Sequence, residues 1–243
     1  MCFTVAIDLV REELEKDFHV SVPAGVSFEP AYYFSAFDHP RLPLITSGDP
    51  EKIILSRWGL VPSWVQDRTA AEKIRNATIN ARTETVLQKP SFRHLAGRKH
   101  CLLPVSGFYE WHDHHGRKIP YFLRWKDHKA FGLAGLYDLW TDRETGEMVH
   151  SFTLLTVPAS PLVARIHNTR KRMPLLLPPG EGVKWVKKRT FEESLKEIHP
   201  LPEKELDFYP LAPGLTGRAA DPHDPALIQR WEPGFDPLGD TLF

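Results

Sequence analysis

The stretch from Cys101 to Val157, CLLPVSGFYEWHDHHGRKIPYFLRWKDHKAFGLAGLYDLWTDRETGEMVHSFTLLTV, decides the fold. It holds four β-prone runs, Cys101 to Trp111, Ile119 to Trp125, Phe131 to Trp140 and Ser151 to Val157. Aromatic and branched side chains fill them, and the tight polar connections DHHGRK, WKDHK and TDRETGE part them. Short runs joined this way form an antiparallel meander. Outward from it, Phe3 to Ile7 and Lys52 to Trp58 read as further strands. Helices are fewer: Arg11 to Phe18, Ser91 to Ala96 after Pro90, Gly182 to Lys188, and Ser160 to Ile166, where Ser160 caps and Pro161 takes the first helical position. Strands in sequence with helices inserted between some of them predict an α+β fold, a curled, mostly antiparallel sheet or open β-barrel.

The chain has 243 residues with 31 basic and 31 acidic side chains and 42% hydrophobic residues, which excludes a disordered or fibrous protein. At ~150 residues per domain, one or two domains are expected. The reading is one, spanning 1–243, with the proline- and glycine-rich, acid-leaning 203–243 as an extended arm on the body. Only Cys2 and Cys101 are present, too few for a disulfide scaffold or a thiolate zinc site. The tract His112, His114, His115 is a poor metal site because adjacent side chains in a turn cannot all converge, so neither metal nor cofactor is expected. No run approaches the ~20 apolar residues of a membrane span, and the first residues run from apolar to charged, opposite to a signal peptide. A cytoplasmic monomer without a membrane partner is expected. The net charge of zero argues against indiscriminate coating of nucleic acid, but unopposed bases cluster in Lys89 to Lys99 and in Arg165 to Arg172.

Cysteine at position 2 stands out chemically. Loss of the initiator methionine would leave a thiol and an α-amine on one residue. An α-amine has a pKa of about 7.7–8.0 against about 10.4 for lysine, so its neutral fraction near pH 7 is larger by a factor on the order of a few hundred. After it condenses with an aldehyde, the thiol can close a thiazolidine ring. Three polar residues interrupt apolar runs: Glu110 in SGFYEW, Asn80 in ATINARTE and His167 in ARIHNTRK. A carboxylate flanked by Tyr109 and Trp111 would be desolvated and hold its proton toward neutrality. Read as ordinary residues, Glu110 lies on the wet face of a strand, Asn80 is a turn or cap residue, and His167 is a hydrogen-bonded structural histidine.

The blocks MCFTVAID, WGLVPSW (Trp58 to Trp64), INARTET (Ile79 to Thr85), CLLPVSGFYEW (Cys101 to Trp111) and IHNTRKRMPLLL (Ile166 to Leu177) resemble, in order and spacing, the SRAP family of SOS-response-associated, abasic-site-processing proteins. The resemblance runs from Cys2 to about Leu177, and YPLAPG with DPALI resembles the family's closing segment. It implies capture of the abasic-site aldehyde in single-stranded DNA by a self-processed Cys2 as a thiazolidine crosslink. Asn80 would hold Cys2 or the opened sugar, Glu110 would transfer protons, and His167 would assist imine formation and its reversal. The crosslink would shield the lesion rather than cut the strand, in the cytoplasm and at the nucleoid when engaged. Arg82, Arg165 and Arg172 match places where the family carries bases near the DNA backbone, and Trp58, Trp64 and Trp111 are stacking candidates.

The chain departs from the family pattern at MCFT, where relatives carry MCGR; in YYFSAFDHPRLPLI; and in the insertion NTRK between His167 and Arg172. Two alternatives compete. One is a cysteine-dependent peptidase or amidohydrolase pairing the thiol with His167 and Asn80; the other is a non-catalytic single-strand binder using the basic blocks and tryptophans.

Overall fold

The computed structural model describes residues 2–187, 190–214, 221–232, 234 and 238. Two β-sheets with short helices make up an α+β fold, as the meander implied. The strands are β1 (Thr4–Ile7), β2 (Ala31–Ser35), β3 (Arg41–Thr46), β4 (Asp49–Trp58), β5 (Asn80–Arg82), β6 (His100–Val105), β7 (Gly107–His114), β8 (Arg117–Trp125), β9 (Phe131–Thr141), β10 (Met148–Pro158), β11 (Arg172–Pro174), β12 (Leu176–Leu177) and β13 (Leu206–Pro210). The helices are α1 (Arg11–Phe18), α2 (Arg68–Ala77), α3 (Pro161–Ile166), α4 (Pro179–Val186) and α5 (Phe191–Glu197).

One sheet is antiparallel in the order β13-β8-β7-β1-β2. In the other, β10, β4, β3, β6 and β9 pair in succession and β9 pairs back onto β10, so the sheet closes into a barrel. Closure leaves those five strands with no edge between them. Strand β5 joins as a parallel partner of β10, with Asn80 level with Leu154 and Arg82 with Thr156. Wholly buried runs, such as β6, and the fully buried Trp58, Phe131, Phe152 and Trp185 fill the interior. Where β9 meets β10 the backbones crowd. A Cβ on Gly135 would run into the Thr153 carbonyl oxygen and come within 2.9 Å of Cys101 Sγ.

The expected strand from Cys101 to Trp111 is two strands. The chain turns from the barrel into the antiparallel sheet at Ser106, whose N–H donates to Ala6 O (3.0 Å) and whose hydroxyl accepts from Asp8 N–H (3.1 Å). Strand β7 returns through β8 by a two-residue turn in which His115 (φ 51°) and Gly116 (φ 83°) are both left-handed, the turn geometry that matches strand twist. Helix α3 begins as its sequence indicates: Val163 N–H reaches Ser160 Oγ at 3.5 Å, with Pro161 in the first turn. Residues 91–96 form a succession of turns rather than the expected α-helix, pinned by the buried Phe92 and Leu95. Within the arm, β13 edges the antiparallel sheet, and Tyr109 donates its hydroxyl hydrogen bond to Tyr32 O (2.6 Å) with Leu227 O 3.4 Å away. Of the arm, 215–220, 233, 235–237 and 239–243 lie outside the described residues, as does Met1. Among the described residues no helix is long and apolar enough to cross a membrane, and no group of His, Cys, Asp and Glu is arranged to hold a metal.

Because the obstacle at Gly135 is backbone, Gly135→Ala is expected to destabilise by about 1–3 kcal/mol. A urea titration should show a lower midpoint with an unchanged slope.

Candidate active site

The site lies where the antiparallel sheet meets the barrel, and each polar residue arrives there from a different element. Val5 pairs with Phe108 and Ala6 with Gly107; continuing that antiparallel register carries residues 2 and 3 alongside Trp111 and Glu110. Asn80 opens β5 on the flank of β10. His167 ends α3, its N–H bonded to Val163 O at 2.7 Å, and the chain then turns through Lys171 (φ 48°) into β11.

Asn80 Nδ2 donates to Cys2 O at 2.8 Å. The Cys2 side chain is fully buried and its thiol donates to Thr4 O at 3.5 Å. Burial, reinforced by the negative charge of Glu110, raises the thiol pKa far above its usual value, so the sulfur stays protonated at neutral pH. Glu110 is 1% exposed. Its carboxyl is pushed up to about 7 by burial, against the opposing pull of the chain's amino terminus. His167 Nδ1 lies 3.3 Å from Glu110 Oε2 and 2.8 Å from Arg172 O. A carbonyl only accepts, so Nδ1 carries the proton and Nε2 is the basic nitrogen of the ring. Burial pulls the imidazole down to about 4, which makes it neutral near pH 7. Asn80 Oδ1 is buried with no hydrogen-bond partner among the described residues, an acceptor in hand beside Cys2. The four residues picked from the sequence therefore come together as a buried thiol, a carboxyl shifted toward neutrality, a neutral imidazole and an amide.

The remaining candidates divide. Arg82 is exposed and, two residues after Asn80 on one strand, shares its face. Arg165 is half-buried, its carbonyl accepting from His112 Nδ1 at 2.9 Å. Trp64 is 48% exposed on the loop after β4. Trp111 stacks on Tyr109, against the apolar cluster on the face of β7 opposite Glu110. Two expectations need correction. Trp58 is wholly enclosed, its indole N–H donating to Ile79 O at 3.1 Å, and presents no face on which a base could stack. Arg172 is 9% exposed, with one Nη bonded to Glu84 Oε2 (2.9 Å) and Thr156 O (2.6 Å) and the other to Glu84 Oε1. That fork holds the Glu84 carboxyl down to about 2 and leaves little of the guanidinium for a phosphate. Arg172 positions the site instead, through the carbonyl that fixes His167. Phe37 carries no sequence signal of its own: 55% exposed and stacked on Phe3 at 5.0 Å, it puts an aromatic face next to the residue that follows Cys2.

A family model described as SOS response associated peptidase (SRAP) matches residues 1–216. The chain belongs to the SRAP family. It is 32% identical to the abasic site processing protein YobE of Bacillus subtilis over 76% of this chain and 82% of that one. It is 31% identical to the abasic site processing protein HMCES of Gallus gallus over 67% of this chain and 53% of that longer protein. Among solved structures, a protein from Bacteroides thetaiotaomicron superposes with a TM-score of 0.87 at 32% identity, covering 95% of this chain and all (100%) of that one. One from Bordetella bronchiseptica gives 0.74 at 27% identity, over 87% and 100%.

In this SRAP chain the Glu110–His167 pair titrates in opposite directions. Folding raises the Glu110 pKa from 4.5 to about 7, so its contribution to stability is full below 4.5 and is lost as pH rises through 7. Folding lowers that of His167 from 6.5 to about 4, so its contribution is full above 6.5 and is lost as pH falls through 4. Relative to the parent, Glu110→Gln should gain stability as pH rises from 4.5 to 7 and His167→Gln should gain as pH falls from 6.5 to 4, each by up to about 1.4 kcal/mol per pH unit. Denaturation midpoints across that range check both; differences that do not vary with pH would show that neither group is perturbed.

Proposed function

We propose that this protein processes abasic sites in single-stranded DNA by forming a covalent thiazolidine crosslink at Cys2 once Met1 is removed, in the DNA-damage response. The observation that carries the reading is the convergence on Cys2, with Asn80 Nδ2 2.8 Å from its carbonyl and Glu110 and His167 3.3 Å apart beside it. Abasic-site processing is also the activity named for YobE and HMCES.

Met1 leaves by hydrolysis of its peptide bond at this same site, a limited form of the peptidase activity in the family's description. Asn80 Oδ1 then accepts from the freed α-amine. The opened deoxyribose presents its aldehyde, extruded from the strand because the thiol lies too deep for a stacked sugar. Glu110, protonated for part of the time near pH 7, delivers a proton first to the ring oxygen and then to the hydroxyl that leaves as water when amine and aldehyde condense. The thiol adds to the imine carbon while its proton passes to the imine nitrogen. The net change is loss of one water and gain of a C–N and a C–S bond. Neutral His167 supplies a basic nitrogen for the proton steps in both directions. With the imine consumed, the strand escapes β-elimination. Arg82, Arg165, Trp64, Trp111 and Phe37 are the residues offered to the strand. The protein acts as a monomer in the cytoplasm, on the nucleoid when engaged, and needs no cofactor.

Incubation with an abasic oligonucleotide should give one heat-stable adduct per chain, on a protein whose intact mass lacks one methionine. Cys2→Ala should give no such adduct. Cys2→Ser keeps the amine and should give a species fixed only by borohydride. Glu110→Gln should slow crosslinking about 10²-fold or more. His167→Ala should slow it less and impede transfer of a preformed adduct to competitor DNA. A heat-stable adduct on Cys2→Ala at the parental rate would defeat the proposal.

A further inference from the structure

The segment NTRK, inserted after His167, is fastened to the β7–β8 hairpin rather than projecting from the surface. Asp113 N–H donates to Asn168 Oδ1 at 3.0 Å, and Asn168 Nδ2 donates back to Asp113 O at 3.0 Å. A second tie, His112 Nδ1 to Arg165 O, joins the end of α3 to the same strand, and Lys171 N–H closes the turn on His167 O at 3.0 Å. The clip holds Arg170 and Lys171 of the turn beside the hairpin that carries Arg117 and Lys118, all four exposed. Of these, Lys118 is paired with a carboxylate, Asp113 Oδ2 at 2.7 Å. On the hairpin, Arg117, Lys118, His114 and His115 line a cleft of about 930 Å³ with Ile119, Pro213 and Trp231, and none of the described residues lining it is acidic. Arg170 and Lys118 both lower the basicity of His167 through space, which puts their charge within reach of the site. Strand β7 leads from Glu110 to His114 in four residues, ~13 Å at ~3.3 Å each. That is about four phosphates at the ~3.4 Å per-strand spacing of duplex DNA, and fewer on an extended strand.

We propose that the turn Asn168–Lys171 and the β7–β8 hairpin form a single cationic ledge, built from Arg170, Lys171, Arg117 and Lys118, that binds the phosphates of the DNA strand on one side of the lesion. The ledge rests on the reading that the neighbouring site takes abasic DNA, and it goes further by giving that site a directional footprint. Loop and hairpin are useful to it only together. Either alone would present two mobile cations, whereas the reciprocal Asn168–Asp113 bonds hold the two pairs in one register.

The test uses full-length protein and single-stranded oligonucleotides carrying a tetrahydrofuran abasic analogue, which has no aldehyde and reports binding alone. Three oligonucleotides are compared: six nucleotides on both sides, and one nucleotide on either side in turn. Two variants neutralise the ledge on separate elements, Arg117→Gln with Lys118→Gln, and Arg170→Gln with Lys171→Asn, asparagine being tolerant of the left-handed backbone at 171. Each pair should weaken binding on the order of tenfold in low salt and lower the slope of log Kd against log salt by about 0.7 for each phosphate that is no longer neutralised. The loss should vanish on the oligonucleotide truncated on one side and persist on the one truncated on the other. A loss that ignores both truncations, or no loss from either variant pair, would overturn the ledge. Parental crosslinking to authentic abasic DNA is scored separately. If it fails while flank-selective loss remains, the covalent reading falls and the ledge stands; if it succeeds while binding ignores the flanks, only the ledge falls.

Discussion

Withdrawal of one carboxylate from water is the constraint on which the site depends. Glu110 stands with 1% exposure between two aromatic neighbours on β7, and an acid so placed keeps its proton to a pH at which surface carboxylates have long lost theirs. Its charge, when present, acts on the Cys2 thiol; its oxygen lies against the His167 ring. The same enclosure acts on each group in turn: burial of Glu110 makes an acid near neutrality, burial of Cys2, reinforced by the Glu110 charge, keeps the sulfur a thiol, and burial of His167 keeps the imidazole uncharged. The proton inventory of the pocket is set before any substrate enters.

The fold supplies that burial by a change of sheet. Strand β6 belongs to the barrel and β7 to the antiparallel sheet, and the corner at Ser106, tied to Ala6 and Asp8, is where the chain crosses over. Four residues beyond it comes Glu110. The pairing of Val5 and Ala6 with β7 directs residues 2 and 3 toward the junction. On the far side, β10 carries β5 and β11 on its two flanks, which places Asn80 and the Arg172 carbonyl. The Arg172–Glu84 fork then locks β11 to the segment after β5. The closed barrel thus holds β10 in place, and β10 in turn fixes where β5 and β11 present the Asn80 amide and the Arg172 carbonyl.

Much of this is legible in the sequence because burial and chemistry conflict at a few positions. A glutamate, an asparagine and a histidine inside apolar runs mark the pocket, and the Ser-Pro start of α3 marks the helix that delivers the histidine. What stays hidden depends on pairings between distant residues. Trp58 and Trp64 look alike in WGLVPSW, yet one is sealed inside the barrel and the other is half in water. Arg172 sits in a basic run, but its carboxylate partner is 88 residues away. Helix α2 is masked by the strand pattern around it, although Asp67 accepts from Ala70 N–H at 2.8 Å, a start signal visible in DRTA. Residues 91–96 have a proline and the right composition but stop at turns.

The depth of the Cys2 sulfur has a consequence for endurance. It is the thiolate that attacks a peroxide or a disulfide, and the reagent must reach it. A sulfur kept protonated and shut off from solvent is a slow substrate for both. Cys2 is thereby kept reduced under conditions that would oxidise an exposed, ionised thiol.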